Sequence, residues 1–162
     1  MERALESKPD RKRLRLKDFD YSNPNHVFFI TICAKDKTAP FLNCELAEKI
    51  VSSLLVLRER RGFPIYCYCL MPDHFHMVIS PSVSSGSVSS IVQSLKSFTT
   101  KIGWEHGVSG RLWQKSFYDH VVRSDENLMS ICQYILMNPM RKALVERHED
   151  WEYSGMVDPL PI

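Results

Sequence analysis

The pattern of apolar and polar residues along the chain predicts four strands. VFFITICA (27–34) is apolar throughout and rich in β-branched and aromatic residues, which favours a buried strand. PIYCYCLM (64–71) and HFHMVIS (74–80) have a similar composition and are separated by a short Met-Pro-Asp turn, so they predict a tight antiparallel hairpin. FYDHVVR (117–123) predicts the fourth strand.

Apolar residues at helical spacing predict three helices between and after these strands. The first helix is capped by Asn43, runs to about Arg61 and is closed by Gly62. The last covers about 125–138, is capped by Ser124 or Asp125 and ends before Pro139. The middle helix is capped by Ser87, and its apolar stripe consists of Val88, Ile91, Val92, Leu95, Phe98 and Ile102.

The resulting element order is β-α-β-β-α-β followed by a helix. This order is typical of the α+β class and of the ferredoxin-like, split βαβ fold, in which two helices cover one face of an antiparallel sheet. The other face is left open for a ligand or for the last helix. We expect one domain over residues 26–162, preceded by a polar N-terminal arm over residues 1–25.

Composition places the chain among globular proteins of a reducing compartment. There is no apolar run long enough for a membrane span and no signal-peptide core, so we expect a cytoplasmic protein with no membrane partner. The cysteine number is odd, five, and four of the cysteines lie in apolar runs, which predicts buried thiols and no disulfide framework.

Charge is unevenly distributed along the chain. The net charge is only +2, but RKRLRLK places five cations within seven residues of the arm. Such a segment is either a phosphate-binding arm or a solvated tail. The cations concerned are Arg11, Lys12, Arg13, Arg15 and Lys17.

MPDHFHMVI (71–79) places two histidines one residue apart in an apolar strand. Because side chains alternate between the faces of a strand, His74, His76 and Val78 share one face, while Phe75, Met77 and Ile79 belong to the core. The Cβ atoms of the two histidines are then roughly 7 Å apart, which allows one divalent ion to bind both rings. The alternative is a pair of hydrogen-bonded histidines without a metal.

Further ligands could come from two places. Cys67 and Cys69 on the neighbouring strand would complete a zinc site of the Cys-x-Cys, His-x-His kind, although thiols in an apolar run are usually core residues. The other place is CQYILMNPMRK (132–142) on the last helix, where Tyr134 and Asn138 lie one turn apart, off the apolar stripe. An Asn carbonyl suits Mg²⁺ or Mn²⁺, and a tyrosine hydroxyl beside a metal is a candidate nucleophile.

Four segments together resemble a known family. MPDHFHMVI, LKSF, LWQKSFYDHVVRSDENL and YILMNPMRKALV are similar in order and spacing to the single-tyrosine HUH transposases, in particular to the REP-associated tyrosine transposases. The resemblance covers about residues 13–154. One departure is Ala143, where the family commonly has glycine; if this residue adopts a left-handed conformation, Ala143 introduces modest strain there.

The resemblance implies a site and an activity. His74, His76 and Asn138 would hold Mg²⁺ or Mn²⁺, and Tyr134 would be the nucleophile that cleaves single-stranded DNA through a 5′-phosphotyrosine intermediate. A second strand's 3′-hydroxyl would reverse the step, and no nucleotide cofactor is needed because the intermediate conserves the bond energy. The implied substrates are repeats that fold into hairpins. The protein would act as a monomer or a homodimer.

The remaining expectations concern DNA contacts and competing functions. Besides the arm, we expect phosphate contacts from Lys96, Lys115, Arg123, Arg141 and Lys142. Trp113, Phe117 and Tyr118 either stack on unpaired bases or pack the loop against the sheet. The competing functions are a catalytically silent, domesticated protein that binds hairpin DNA and a zinc-binding structural module.

Overall fold

A computed structural model of the chain describes residue 16 and residues 18–161. Short 3₁₀ turns at Lys35–Lys37, Pro40–Leu42 and His148–Asp150 lie in the connections. The main elements are β1 (Val27–Cys33), α1 (Cys44–Arg61), β2 (Ile65–Leu70), β3 (His74–Ile79), α2 (Val88–Glu105), β4 (Tyr118–Val122), α3 (Leu128–Leu136), α4 (Asn138–Arg141) and β5 (Ser154–Met156).

Among the described residues, the five strands form one antiparallel sheet in the order β4-β1-β3-β2-β5. The first four strands have the predicted ferredoxin-like arrangement, with β1 and β3 at the centre. The predicted α+β fold is therefore confirmed. The sequence did not predict β5, a three-residue strand that extends the sheet beside β2.

The ends of α1 and α2 are fixed by the residues that the sequence indicated. The Asn43 side chain accepts a hydrogen bond from the Leu46 amide, and the Ser87 side chain accepts one from the Ser90 amide. Gly62 closes α1 with a φ of 68°, which glycine adopts without strain. The predicted cap of the last helix was wrong: α3 begins three residues later, with Asn127 accepting from the Ser130 amide.

Helices α1 and α2 pack on one face of the sheet and enclose the main core. Phe75, Met77 and Ile79 of β3 lie in this core, as their alternation in the strand predicted. One helix position was predicted wrongly: Phe98 is 54% exposed. Its neighbour Thr99 is buried instead and donates its hydroxyl proton to the Leu95 carbonyl at 2.6 Å.

A second, smaller core lies on the opposite face, beneath α3. Its buried residues come from β2, β3 and α3, so the last helix covers part of the face that the sequence left open. The Trp151 indole donates to the Leu70 carbonyl at 2.9 Å and fastens the C-terminal segment to the same side. The buried members are Tyr66, Cys67, Cys69, Met71, Val78, Cys132 and Ile135.

The packed unit begins before the predicted boundary at residue 26. Phe19 and Tyr21 pack against the main core, and the rings of Tyr21 and Phe28 stack with centroids 5.5 Å apart. The Val88 amide also donates to the Tyr21 carbonyl at 3.0 Å. Phe19 and Tyr21, which the sequence analysis placed in the arm, thus contact the domain. No helix in the described residues is long and apolar enough to cross a membrane.

Candidate metal and tyrosine site

The strand register brings the two histidines onto the face that carries α3. His76 is paired with Thr31 of β1 on one side and with Cys69 of β2 on the other. Directly paired residues of antiparallel strands point to the same face, so these side chains form one row across the sheet. Thr31 is also paired with Tyr118 of β4, and the row therefore ends at the sheet edge.

The two imidazole rings are held so that one nitrogen of each faces the other. The Nε2 atoms of His74 and His76 lie 3.0 Å apart. The opposite ring nitrogens are anchored: Nδ1 of His74 donates to the Asp73 carboxylate at 2.6 Å, and Nδ1 of His76 is 2.8 Å from the Thr31 hydroxyl. Anchoring of this kind fixes the ring orientation, and if Nδ1 carries the proton on both rings, both Nε2 lone pairs are available to one ion.

His76 is neutral at physiological pH. Burial, the neighbouring His74 and the positive charge of Arg141 lower the pKa of His76 from 6.5 to about 3. A neutral ring has a lone pair available for a metal ion, whereas a protonated ring has none.

Helix α3 and the short α4 form an almost continuous helical run that leads to Asn138. The Met137 amide donates to the Gln133 carbonyl, and the Arg141 amide donates to the Met137 carbonyl at 3.0 Å. Pro139 therefore does not turn the chain away at Asn138, because it lies in the first turn of α4, where an amide proton is not needed.

Asn138 points inwards, which corrects the expectation that it faces outwards with Tyr134. Its residue is only 8% exposed, whereas Tyr134 is 58% exposed. Asn138 follows Ile135 of the smaller core by three residues and so lies on the same side of the helical run. Its side-chain amide makes no hydrogen bond within the described part of the chain, so its carbonyl oxygen has no protein partner there.

Arg141 fixes the position of Tyr134. The guanidinium carbon lies 3.7 Å from the centroid of the tyrosine ring, and Nη2 donates to the Tyr134 carbonyl at 2.9 Å. The arginine therefore contacts both the ring and the backbone of the same residue. The sequence analysis predicted a phosphate contact for Arg141 and did not foresee this one, which requires the helical run to continue past Pro139.

The zinc alternative is not supported by the arrangement of the thiols. Cys67 and Cys69 are fully buried in the smaller core. Burial raises the pKa of Cys69 to about 12, and a contact with Cys132 together with burial raises the pKa of Cys67. The described residues contain no group of three or more His, Cys, Asp or Glu side chains placed to hold a metal. A cysteine binds zinc as the thiolate, and raised thiol pKa values oppose that form, so this module is disfavoured.

The predicted phosphate contacts fall into three groups. Arg11, Lys12, Arg13, Arg15 and Lys17 lie outside the described residues. The ammonium of Lys96 donates to the carbonyls of Gln114, Lys115 and Ser116 and so holds the loop before β4, a contact that the sequence did not indicate. The cations that the structure leaves exposed are Lys115, Arg123, Arg141 and Lys142.

Of the three aromatic residues proposed for base stacking, two are packed inside the protein. Trp113 and Phe117 are 2% and 4% exposed, and the Trp113 indole donates to the Thr99 hydroxyl at 2.8 Å. Their rings are not open to a stacking base in this structure, which corrects that prediction and agrees with the packing alternative. Tyr118 is 55% exposed and lies on the histidine face.

Sequence reasoning missed the residues that support the histidines. The sequence pattern places Asp73 in the turn of the hairpin and gives Thr31 no role beyond its position in a buried strand. A polar residue in VFFITIC at an alternating position was the available signal for Thr31. The strand pairing needed to place it beside His76 could not be obtained from the sequence pattern.

The family profile described as Transposase IS200 like matches residues 23–138 of the chain. The chain belongs to the IS200-like transposase family. The match extends from the segment before β1 to Asn138 and so includes the hairpin of the two histidines and the tyrosine helix. The resemblance inferred from the sequence motifs is thereby confirmed.

Relatives within this family carry more specific names. The chain is 27% identical over 140 residues to a Haemophilus influenzae protein provisionally named a REP-associated tyrosine transposase, covering 80% of this chain and 78% of the other. It is 22% identical over 129 residues to the REP-associated tyrosine transposase of Escherichia coli, covering 79% and 74%.

A solved structure has the same fold as this IS200-like transposase. It is described as a REP-associated tyrosine transposase bound to a REP hairpin, and it matches with a TM-score of 0.69 and 20% identity over 86% of this chain and 82% of that chain. At this identity the match shows the fold of the IS200-like family.

Proposed function

We propose that the chain cleaves and rejoins single-stranded DNA beside hairpin-forming repeats, with Tyr134 as nucleophile and a divalent cation, Mg²⁺ or Mn²⁺, held by His74, His76 and Asn138. The observation that carries the proposal is the pair of opposed Nε2 atoms, 3.0 Å apart, on rings whose other nitrogens are anchored. Such an arrangement beneath a helix with an exposed tyrosine suits phosphate chemistry better than it suits a structural core.

The residues fit a divalent ion. Two nitrogen ligands about 2.1 Å from one ion and at a right angle to each other are roughly 3.0 Å apart, which is the separation of the two Nε2 atoms. The Asn138 amide, on a residue that is only 8% exposed, would add a hard oxygen donor. An ion in this position would polarise the scissile phosphate as a Lewis acid.

In this proposal Tyr134 attacks a phosphate bound against the sheet. Its phenol is exposed, so DNA can approach it and solvent can accept its proton. In the proposed step Oη forms a bond to phosphorus, the bond from phosphorus to the 3′-oxygen breaks, and the 3′-oxygen takes a proton from solvent and leaves as a hydroxyl. Attack by another 3′-hydroxyl on the phosphotyrosine reverses the sequence and joins two strands.

The choice of hairpin DNA is supported by the relatives. The solved structure with the same fold is bound to a REP hairpin, and two relatives are named after their association with such repeats. The exposed cations Lys115, Arg123 and Lys142 add a sequence-independent attraction for phosphates.

The proposal is tested by incubating the protein with end-labelled, single-stranded DNA that contains a hairpin and single-stranded flanks. We expect cleavage with Mg²⁺ or Mn²⁺, none with excess chelator, and strong loss in His76→Ala and Asn138→Ala. Cys69→Ala is the matched control on the same row of the sheet and should retain cleavage. Binding of the hairpin without cleavage under all ionic conditions would instead identify a silent DNA-binding protein.

A further inference from the structure

A cavity of about 650 Å³ lies between α2 and the loop that leads into β4, away from the histidines and the tyrosine. Its volume is within the usual range of small-molecule sites, roughly 300–1,000 Å³. Lys96 crosses from α2 to the loop carbonyls and so fixes the two walls relative to each other. The proposed chemistry of Tyr134 uses none of these residues.

The rim of the cavity is positively charged. Lys101, Arg111 and Lys115 line it and are exposed, and their cationic groups make no hydrogen bond or ion pair within the described part of the chain. The lining contains no acidic residue. Cations without carboxylate partners around one opening favour a ligand that carries phosphates.

The interior offers surfaces suited to a flat ring. Trp104 is 55% exposed at the wall, and its indole donates to the Gly110 carbonyl at 2.7 Å, which fixes the plane of the ring. The side-chain amides of Gln93 and Gln114 lie on the same lining and can donate to and accept from a base edge. Aromatic rings flanked by cations are the usual means of binding unpaired bases.

The cavity can be reached from the histidines along one edge of the sheet. The Gln114 amide donates to the Cys33 carbonyl at 2.9 Å, and Cys33 is paired with His74, so the loop wall lies at the histidine end of the sheet. Tyr118, exposed on the edge strand, is two strands from His76, a separation of about 10 Å. A strand of a few nucleotides spans the distance from His76 past Tyr118 to the loop.

We propose that this cavity binds an unpaired nucleobase of the DNA substrate, stacked on Trp104, with the flanking phosphates on Lys101, Arg111 and Lys115. The inference rests on the proposed DNA substrate and adds a base-binding site outside the cleavage centre. It explains why the cations and the exposed indole share one cavity, beside α2 and on the face of the sheet opposite the histidines.

The test measures binding in a Tyr134→Phe background, so cleavage does not enter. The probes are a (dT)₁₂ oligonucleotide and an abasic oligonucleotide of the same length and charge. Trp104→Ala should weaken binding of (dT)₁₂ by roughly 5- to 150-fold, the usual effect of losing one base stack. It should leave binding of the abasic probe unchanged. Phe98→Ala, which removes another exposed aromatic ring of α2 outside the cavity, is the matched control and should change neither.

A second measurement does not depend on the tryptophan. The triple variant Lys101→Ala, Arg111→Ala and Lys115→Ala should reduce the slope of log affinity against log salt by about 2, or roughly 0.7 for each lost phosphate contact. The proposal is overturned if Trp104→Ala binds each probe as tightly as the parent protein does. It is also overturned if the variant loses the same factor in affinity for both probes. Cleavage by the wild-type protein is measured separately, so this proposal can fail while the proposed function stands, and the reverse.

Discussion

Replacement of Arg141 tests whether this residue positions the nucleophile. The guanidinium stack on the Tyr134 ring contributes about 0.5–1 kcal/mol at an exposed site. The hydrogen bond to the Tyr134 carbonyl adds about 1 kcal/mol after allowance for exposure. If about 1.5–2 kcal/mol holds the phenol in place, Arg141→Ala should slow its reaction about 10- to 30-fold. Arg141→Lys should recover little, because an ammonium cannot reproduce the planar stack.

The assay is single-turnover formation of the protein–DNA adduct with saturating hairpin substrate and Mg²⁺, beside hairpin affinity in a Tyr134→Phe background. A positioning role predicts slower adduct formation with affinity changed by no more than a few-fold. Lys142→Ala, which removes the adjacent exposed cation, is the control: it should keep its rate at saturating substrate and lose only affinity. The reasoning is refuted if Arg141→Lys reacts as fast as wild type, or if affinity falls as much as the rate, which would indicate a phosphate contact.

Three further predictions concern stability. Ala143 has a φ of 55°, a left-handed conformation that costs an L-residue about 1–2 kcal/mol. Glycine also increases the entropy of the unfolded chain, so Ala143→Gly should raise the free energy of unfolding by only about 0.5–1 kcal/mol. The change is measured as a higher urea midpoint at unchanged slope. Asn127→Ala removes the cap of α3 and should lower that free energy by about 1 kcal/mol. Asp125→Ala, at a nearby exposed residue that does not cap the helix, is the control and should change it little. The pKa of His76 is about 3 in the folded chain and 6.5 when unfolded, so the unfolded state binds the additional proton between these values. Stability should therefore fall as pH drops through that window, by at most about 1.4 kcal/mol per pH unit, and His76→Gln should flatten the dependence; equal pH profiles for the two proteins would contradict this.

The sequence predicted the positions that depend on local periodicity. Alternation in β3 placed Phe75, Met77 and Ile79 in the main core, and it gave His74 and His76 a common face. The caps Asn43 and Ser87 follow from the local chemistry of a helix start. These features depend on a few neighbouring residues and therefore appear in the sequence pattern.

The errors concern contacts between distant segments. Asn138 faces inwards because the helical run passes over the sheet, and Trp113 is buried because its loop pairs with the end of β1 at Ala34. The support of His76 by Thr31 depends on a register between strands 45 residues apart. The short strand β5 forms because residues 67–69 of β2 leave a sheet edge for it to pair with. The three residues of β5 do not by themselves indicate a strand.

The most direct test of the proposed function is to identify the residue that becomes covalently linked to DNA. After reaction with hairpin-containing single-stranded DNA and Mg²⁺, the protein is digested and the peptide that carries a 5′-phosphorylated nucleotide is sequenced by mass spectrometry. We predict one modified peptide with the nucleotide on Tyr134, and no adduct in Tyr134→Phe. An adduct on another residue, or one that persists in Tyr134→Phe, would contradict the account.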